Sequence, residues 1–232
     1  MISSAHDQPS GMAPEEFKRQ LAELSRVVFA ASNYFVIWKA LWPTEEAGET
    51  INRHAHFFSP VRNALRGMVL IELAKMFDGD ANAISLTKLV ATARRGGSRL
   101  VPNSTNDDMR RLARQLDQYN DLRNRIKQMR DQHLAHLDPS PLVHAPLPLG
   151  EIEALIAGVQ AMLNDLSRWH DQSITAYVFQ ERDSARATGY VVGVLKKEAA
   201  WLQRSPHEKT AKYLMEVWAD AEAIGHGPPT DG

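Results

Sequence analysis

The side chains best suited to take part in a reaction lie close together in the sequence, within residues 129–138. This stretch contains Arg130, followed by Asp131, His133 and His136. Imidazole groups exchange protons near neutral pH, and a guanidinium group binds phosphate through paired hydrogen bonds. Side chains of these types can together perform the acid–base cleavage of a phosphodiester.

The helical phase of these residues places them on a stripe that is otherwise apolar. At about 100° per residue in an α-helix, His133 and His136 point in the same direction as Leu122 and Ile126, and Arg130 lies at the edge of this stripe. A helix that served only to complete a core would carry apolar residues at both histidine positions. The sequence therefore favours a further role for the pair.

Three interpretations of His133 and His136 are open. In the first, the histidines are structural and hydrogen-bond to carbonyls or to a carboxylate such as Glu72. In the second, they bind a metal ion, because residues three apart share a helix face. In the third, they perform acid–base catalysis. A metal site lacks the Glu-x-x-His or His-Glu-x-x-His motif, and His54 and His56 would join it only if the fold brings them near. The sequence thus predicts no metal and no cofactor.

The elements that position these residues are predicted to be helices throughout. Apolar residues recur at helical spacing, and no segment alternates with period two, so the predicted fold class is all-α. Ser59 and Pro60 look like a helix start, and the apolar residues 68–77 predict that the helix they begin is the central, most buried one. The predicted helices cover residues 14–42, 60–77, 86–95, 104–137 as one helix or as two joined near Tyr119, 151–179, 184–202 and 206–223.

The predicted domain organisation follows from these helices and from the turn-rich ends. Residues 1–13 are predicted to be a flexible N-terminus and residues 14–183 a bundle of long antiparallel helices. Residues 184–223 are predicted to form further helices that pack on the bundle, and residues 224–232 a disordered tail.

Composition excludes several classes of protein. The chain has 232 residues, of which 44% are hydrophobic, enough for an ordinary globular core. It has no cysteine, which excludes disulfides, thiolate metal sites and cysteine nucleophiles. No apolar run approaches the roughly 20 residues that span a bilayer, and no signal peptide is visible. We therefore expect a cytoplasmic protein without membrane contact.

Charge is balanced overall but uneven along the chain. Lys and Arg number 27 against 28 Asp and Glu, so no global field attracts nucleic acid. Between Lys88 and Arg130, however, eleven basic residues face four acidic ones. This excess indicates either a local site for a polyanion or a solvated helix face whose charge is offset by acids folded beside it.

Five residues separate Arg130 from His136 in an all-α chain, and the polar Asp131 directly follows the arginine. This arrangement resembles the HEPN superfamily, whose motif is an arginine, four to six residues and a histidine. The residues RDQHLAHLD, preceded by FFSPVRNALRGMVLIELAKMFDGD and ISLTKL, are similar to the AbiU-type abortive-infection branch of HEPN domains. The resemblance covers roughly residues 17–171.

The resemblance implies a helical bundle that dimerises so that the Arg–His motifs of two protomers face each other across one cleft. Catalytic members of the superfamily are metal-independent endoribonucleases. A buried stripe that carries histidines would fit such an interface, because a water-poor cleft shifts pKa values and strengthens electrostatic interactions.

The resemblance also implies a role for each candidate residue. His136 would handle the proton of the attacking 2′-hydroxyl or of the leaving 5′-oxygen, and His133 would supply a second proton carrier. Arg130 would hold the phosphate and stabilise its developing charge, and Asp131 would orient either group. Arg123 and Lys127, one to two turns earlier, would guide the RNA backbone.

Three functions are compatible with the sequence. The first is a metal-independent ribonuclease of toxin–antitoxin or phage-defence biology. The second is a non-catalytic HEPN module that binds nucleotide, RNA or a protein partner, such as a nucleotidyltransferase antitoxin. The third is a metal-dependent hydrolase that uses His133 and His136.

Overall fold

The computed structural model describes residues 11–41, 45–131 and 147–225. Within these residues the regular elements are all helices, which confirms the all-α prediction, and none of them combines the length and apolarity of a membrane span. The α-helices of this part are α1 (Pro14–Ala40), α2 (Glu45–Arg53), α3 (Ala55–Met76), α4 (Leu86–Gly96), α5 (Asn106–Asp117), α6 (Asn120–Met129), α7 (Leu149–Asp171), α8 (Val178–Arg204) and α9 (His207–Gly225), with a 3₁₀ turn at Gly97–Arg99.

Helix α1 lies at the centre of the fold and packs against α3, α4, α7 and α8. Pro14 occupies its first turn, where the missing N–H costs nothing, as the sequence predicts. Apolar residues at steps of three and four then form one buried stripe. The side chains of this stripe are Phe17, Leu21, Leu24, Val28, Ala31 and Phe35.

Ion pairs at both ends of α1 show in which direction α7 runs. Lys18 Nζ lies 2.9 Å from Asp171 Oδ2, and Lys39 Nζ lies 2.8 Å from Glu153 Oε1. The beginning of α1 therefore lies beside the end of α7, and the two helices run antiparallel. These pairs are exposed and contribute little energy, since the apolar stripe between them holds the helices together.

Helix α3 packs along α1 but differs from its prediction in two respects. It begins at Ala55, so Pro60 lies inside the helix rather than at its first position. One lost backbone hydrogen bond near the start of a helix is tolerated because Phe58 is buried and anchors this turn. The sequence predicts that this helix is the central one, but α1 occupies that position. Helix α3 nevertheless buries most of its residues from Val69 to Met76.

The short helix α2 was not predicted, because it has only nine residues and is mostly polar. It packs against α8 and α3. Ile51 is its fully buried apolar residue and joins Leu41, Phe58 and Val192 in a small second cluster beside the main core. Through this cluster the helix braces the C-terminal half of α8.

As far as Asp131, the segment that carries the candidate residues consists of two α-helices rather than one. Thr105 caps α5, since its hydroxyl accepts from the Asp108 N–H at 3.1 Å and the Asp108 carboxylate accepts from the Thr105 N–H at 3.0 Å. The helix is interrupted by a turn at Gln118 and Tyr119 before α6 begins. The predicted junction near Tyr119 is therefore confirmed.

The single helix predicted over residues 151–179 is wrong. Helix α7 ends at Asp171, where Gln172 takes a left-handed conformation with φ of 63°. Left-handed helix ends usually carry glycine, and glutamine at this position is no signal of a helix end. The next helix, α8, begins at Val178 rather than at Ser184 and continues to Arg204.

Gly158 allows the α5–α6 junction to approach α7, and we expect its replacement to loosen this contact. A Cβ atom at position 158 would collide with the ring and hydroxyl of Tyr119, which donates to the Ala154 carbonyl at 3.2 Å. The Gly158→Ala variant should lose about 1–3 kcal/mol of unfolding free energy in chemical denaturation. Gly189→Ala is the matched control, because a Cβ atom there meets open space on α8 and should stabilise by about 0.5–1 kcal/mol. Equal stability of the two variants would contradict this packing.

Candidate functional site

The candidate site lies where α6 faces the loop that follows α3. Arg123, Lys127 and Arg130 occur at steps of four and three, so they share one face of the helix. The neighbouring stripe, which includes Leu122 and Ile126, is buried as the phase argument predicts. The basic face lines a small cleft of about 50 Å³ together with Ala74, Phe77, Asp78, Gly79 and Asn124.

Arg130 is held between two carboxylates. Its Nε atom donates to Asp131 Oδ1 at 2.8 Å, and its Nη2 atom lies 2.7 Å from the same oxygen. On the other side, Nη1 lies 3.9 Å from Asp78 Oδ2. The side chain is 26% exposed, so it is partly withdrawn from solvent while its outer edge remains accessible. Asp131 thus holds two of the three guanidinium nitrogens of Arg130, and its role in catalysis stays a prediction.

The backbone at Arg130 departs from the regular α-helix. Helix α6 ends at Met129, and Arg130 and Asp131 belong to a π-helical turn. Turns of this kind advance by fewer degrees per residue than an α-helix and are frequent at functional sites.

Arg123 connects α6 to the elements around the cleft. Its guanidinium lies over the Phe77 ring, 4.6 Å from the centroid, and donates to Asn120 Oδ1 and Thr87 Oγ1, each at 3.0 Å. Burial lowers the pKa of Arg123 below its usual value, an effect opposed by the charge of Asp117. The group still carries its proton at neutral pH. It therefore fixes the position of α6 against α3 and α4.

Lys127 differs from its two neighbours because it is exposed and makes no ion pair with the described part of the chain. Its ammonium group lies one turn from Arg130 on the same face. Of the three basic residues, Lys127 is thus the exposed one, with its ammonium group open to solvent.

The two histidines of the motif, His133 and His136, lie outside the described residues, and the three interpretations of them stay predictions. Glu72, suggested as a structural partner, is buried and pairs with Lys75 Nζ at 2.7 Å. Over residues 11–41, 45–131 and 147–225, no three His, Asp or Glu side chains group together as metal ligands.

The basic segment from Lys88 to Arg130 is partly neutralised by nearby acids. Arg110 and Arg111 pair with the aspartates three residues before them, at 3.6 and 2.9 Å. Arg125 pairs with Asp121 and with Glu151 at the start of α7. The predicted offset by neighbouring acids therefore applies to these arginines.

Sequence reasoning missed the residues that α3 contributes to the cleft. Phe77 and Asp78 were taken only as the end of a helix, and Thr87 was not singled out. The aspartates of this turn order their own loop, since Asp78 Oδ1 accepts from the Asp80 N–H at 2.9 Å. Two aspartates directly after a buried helix were the available signal, but only the packing of α3 against α6 brings them to Arg130.

Comparison with known proteins gives one match. The family model of the AbiU2 group of HEPN domains matches residues 14–191, which include α1 to α7 and the first half of α8. No curated protein and no solved structure matches the chain.

Proposed function

The chain belongs to the AbiU2 family of HEPN domains, and we propose that it is a metal-independent endoribonuclease of abortive infection or a toxin–antitoxin system. The proposed site is built from Arg130, Asp131, His133 and His136. We place the enzyme in the cytoplasm, where its RNA substrate is found.

The observation that supports this proposal is the setting of Arg130. The residue stands at a π-helical turn, is partly buried, and has its guanidinium plane fixed by Asp131. An arginine that served only as solvated surface charge would not need such positioning. A fixed guanidinium is suited to a planar, bidentate interaction with a phosphate.

In the proposed reaction, Arg130 binds the scissile phosphate and stabilises it as it becomes five-coordinate. Asp131 holds Nε and Nη2, whereas Nη1 approaches Asp78 only to 3.9 Å. An N–H of Nη1 can therefore donate to a phosphate oxygen while Asp131 keeps its hold. Because the donor is positioned before the reaction, little reorganisation is required in the transition state.

Proton transfer is assigned to the histidines. His136 takes the proton of the ribose 2′-hydroxyl as its oxygen attacks phosphorus, or gives a proton to the 5′-oxygen as that bond breaks. His133 acts as the second proton carrier. The attack forms a P–O2′ bond and breaks the P–O5′ bond, so the products are a 2′,3′-cyclic phosphate and a 5′-hydroxyl.

RNA would reach the site along the basic face of α6. Lys127 is exposed and supplies a charge for the backbone phosphates. Arg123 adds to the positive potential, but its hydrogen bonds to Asn120 and Thr87 make it more a brace than a direct contact.

We further propose that the enzyme is a homodimer in which the motifs of two protomers share one cleft. An antitoxin, such as a nucleotidyltransferase, would control it. The dimer would complete a site that the single protomer leaves shallow, at about 50 Å³ beside Arg130.

A second candidate function is a non-catalytic module that binds RNA, nucleotide or a protein. The observation that favours it is the internal pairing of the basic face, since Arg130 is held by Asp131 and Arg123 by Thr87. Such contacts stabilise a fold without chemistry. This module would keep its function when His136 is replaced.

The proposal is tested by incubating the purified full chain with structured and single-stranded RNA in excess EDTA. We expect cleavage by the dimeric wild type that leaves 2′,3′-cyclic phosphate ends, and a loss of about 10²–10⁴-fold in the His136→Ala variant. End-group analysis by mass spectrometry and light scattering of the same preparations give the two readouts.

Two outcomes would contradict the proposal. A dimer that binds RNA but cleaves none would favour the non-catalytic module and direct the search to partners. Cleavage that appears only when metal is restored would favour a metal-dependent hydrolase in which His133 and His136 are ligands.

A further inference from the structure

A cavity of about 1300 Å³ opens between α1, α3, α7 and α8. It shares no described lining residue with the cleft beside Arg130, since its α3 wall runs from Arg62 to Leu70 and that cleft begins at Ala74. Ligand sites of proteins usually measure about 300–1000 Å³, so this cavity is large enough for a complete small molecule.

The walls of the cavity are mainly apolar. Phe35 and Trp38 of α1 stand edge to face, with their ring centroids 6.1 Å apart, and aliphatic residues of α3 and α7 face them. Such walls gain free energy by covering a hydrocarbon chain and lose it by covering a hydrated polyanion. The aliphatic lining residues include Val69, Leu70, Ile152 and Ile156.

The carboxylates of the cavity already have partners. Glu181 accepts hydrogen bonds from Ser32 and from Gln160 Nε2, the latter at 2.7 Å. Glu153 forms its ion pair with Lys39 at 2.8 Å. The charge of Glu153 is therefore balanced within the chain, and one carboxylate oxygen of Glu181 is engaged by two neutral donors.

Two of the arginines that line the cavity have no such ion pair among the described residues. Arg66 of α3 and Arg182 of α8 line it, are exposed, and make no ion pair with the residues that the structure describes. Two guanidinium groups from different helices thus face one cavity without a counter-charge. Each can bind a carboxylate or phosphate through paired hydrogen bonds.

We propose that this cavity binds an amphipathic anion with one long apolar chain and a carboxylate or phosphate head. Arg66 and Arg182 bind the head, and the chain lies against Phe35, Trp38 and the aliphatic walls. The occupied carboxylates and the unpaired arginines together select an anion over a cation. The site is independent of the proposed ribonuclease chemistry.

The test titrates the full chain with dodecanoate and with dodecyl phosphate below their micelle concentrations, by calorimetry. Dodecyltrimethylammonium is the matched cation, and acetate and inorganic phosphate are the heads without a chain. We expect one dodecyl anion per chain, bound at least about tenfold more tightly than the cation or the short anions. Whichever of the two dodecyl anions binds more tightly shows whether the site prefers a carboxylate or a phosphate head.

Variants locate the binding. Arg66→Gln and Arg182→Gln should each lower the affinity for the dodecyl anion by about tenfold, as expected for the loss of a charged hydrogen bond. Ala157→Phe, at an exposed alanine of the cavity wall, should block the chain. Arg94→Gln and Ala91→Phe on α4 are the matched controls and should bind as the wild type does.

Thermal unfolding confirms that each variant is folded, and the two exposed arginines allow the test to proceed even if Ala157→Phe is unstable. Equal binding of the cation or of the short anions would overturn the proposal. So would the absence of binding, or unchanged affinity in both the Arg66 and the Arg182 variants. RNA cleavage is measured separately, so a failure of either proposal is distinguishable from a failure of the other.

Discussion

Replacement of Arg130 with lysine is expected to reduce RNA cleavage by about 10²–10³-fold, the usual loss when one transition-state donor is removed. Lysine keeps the charge but has no planar fork. In the structure the fork does two things at once, since Nε and Nη2 bind Asp131 while Nη1 is directed to the other side of the cleft. A single ammonium group cannot be oriented by Asp131 and donate in a fixed direction to a phosphate.

The measurement is the single-turnover cleavage rate in EDTA, with RNA affinity determined separately. Lys127→Gln is the matched control, because Lys127 lies one turn earlier on the same face and is exposed without an ion pair to the described residues. Loss of the Lys127 charge should lower the affinity for RNA and make RNA binding less dependent on salt concentration. The cleavage rate of bound RNA should change by less than about tenfold. Cleavage by Arg130→Lys at the wild-type rate would show that the guanidinium does not act on the phosphate.

The sequence predicted the elements whose burial follows a single period. Helix α1 was recognised because its stripe from Phe17 to Phe35 repeats without interruption, and every member is buried. The stripe of α6 was recognised for the same reason. In both helices the local pattern and the tertiary packing agree, so a reading of periodicity is sufficient.

The sequence failed where tertiary contacts overrule a local signal. Ser59 and Pro60 have the residue types of a helix start, yet α3 begins at Ala55 because Phe58 packs into the cluster of Ile51 and Leu41. Helix α7 ends at Gln172 without glycine or proline. Neither boundary is encoded by the residues next to it alone.

The candidate site was predicted in its local part only. Arg130 and Asp131 are neighbours in sequence, and their pairing follows from that proximity. Asp78 and Phe77 lie more than 40 positions away from them, and they meet α6 because α3 packs against it. The packing of Arg123 has the same origin, since the Phe77 ring beneath it directly follows α3; its predicted contact with RNA stays a prediction.

A mixed dimer of two inactive variants is expected to recover activity if the motifs of both protomers build one site. Arg130→Ala and His136→Ala each remove one required group, so each homodimer should be inactive. Their heterodimer contains one intact Arg130 and one intact His136 in the shared cleft. We expect its cleavage to exceed that of either homodimer by at least about tenfold, because proton transfer and phosphate binding are both restored.

The heterodimer is obtained by co-expressing the variants with different affinity tags and purifying through both tags. The matched control pairs His136→Ala with a chain that carries both substitutions, since that dimer retains an Arg130 but no His136. Activity of the first heterodimer alone would support a composite site, because only there do the two groups come from different chains. If both heterodimers are inactive while the wild-type dimer cleaves RNA, Arg130 and His136 must act from the same chain, and the proposal of a site shared in this way is wrong.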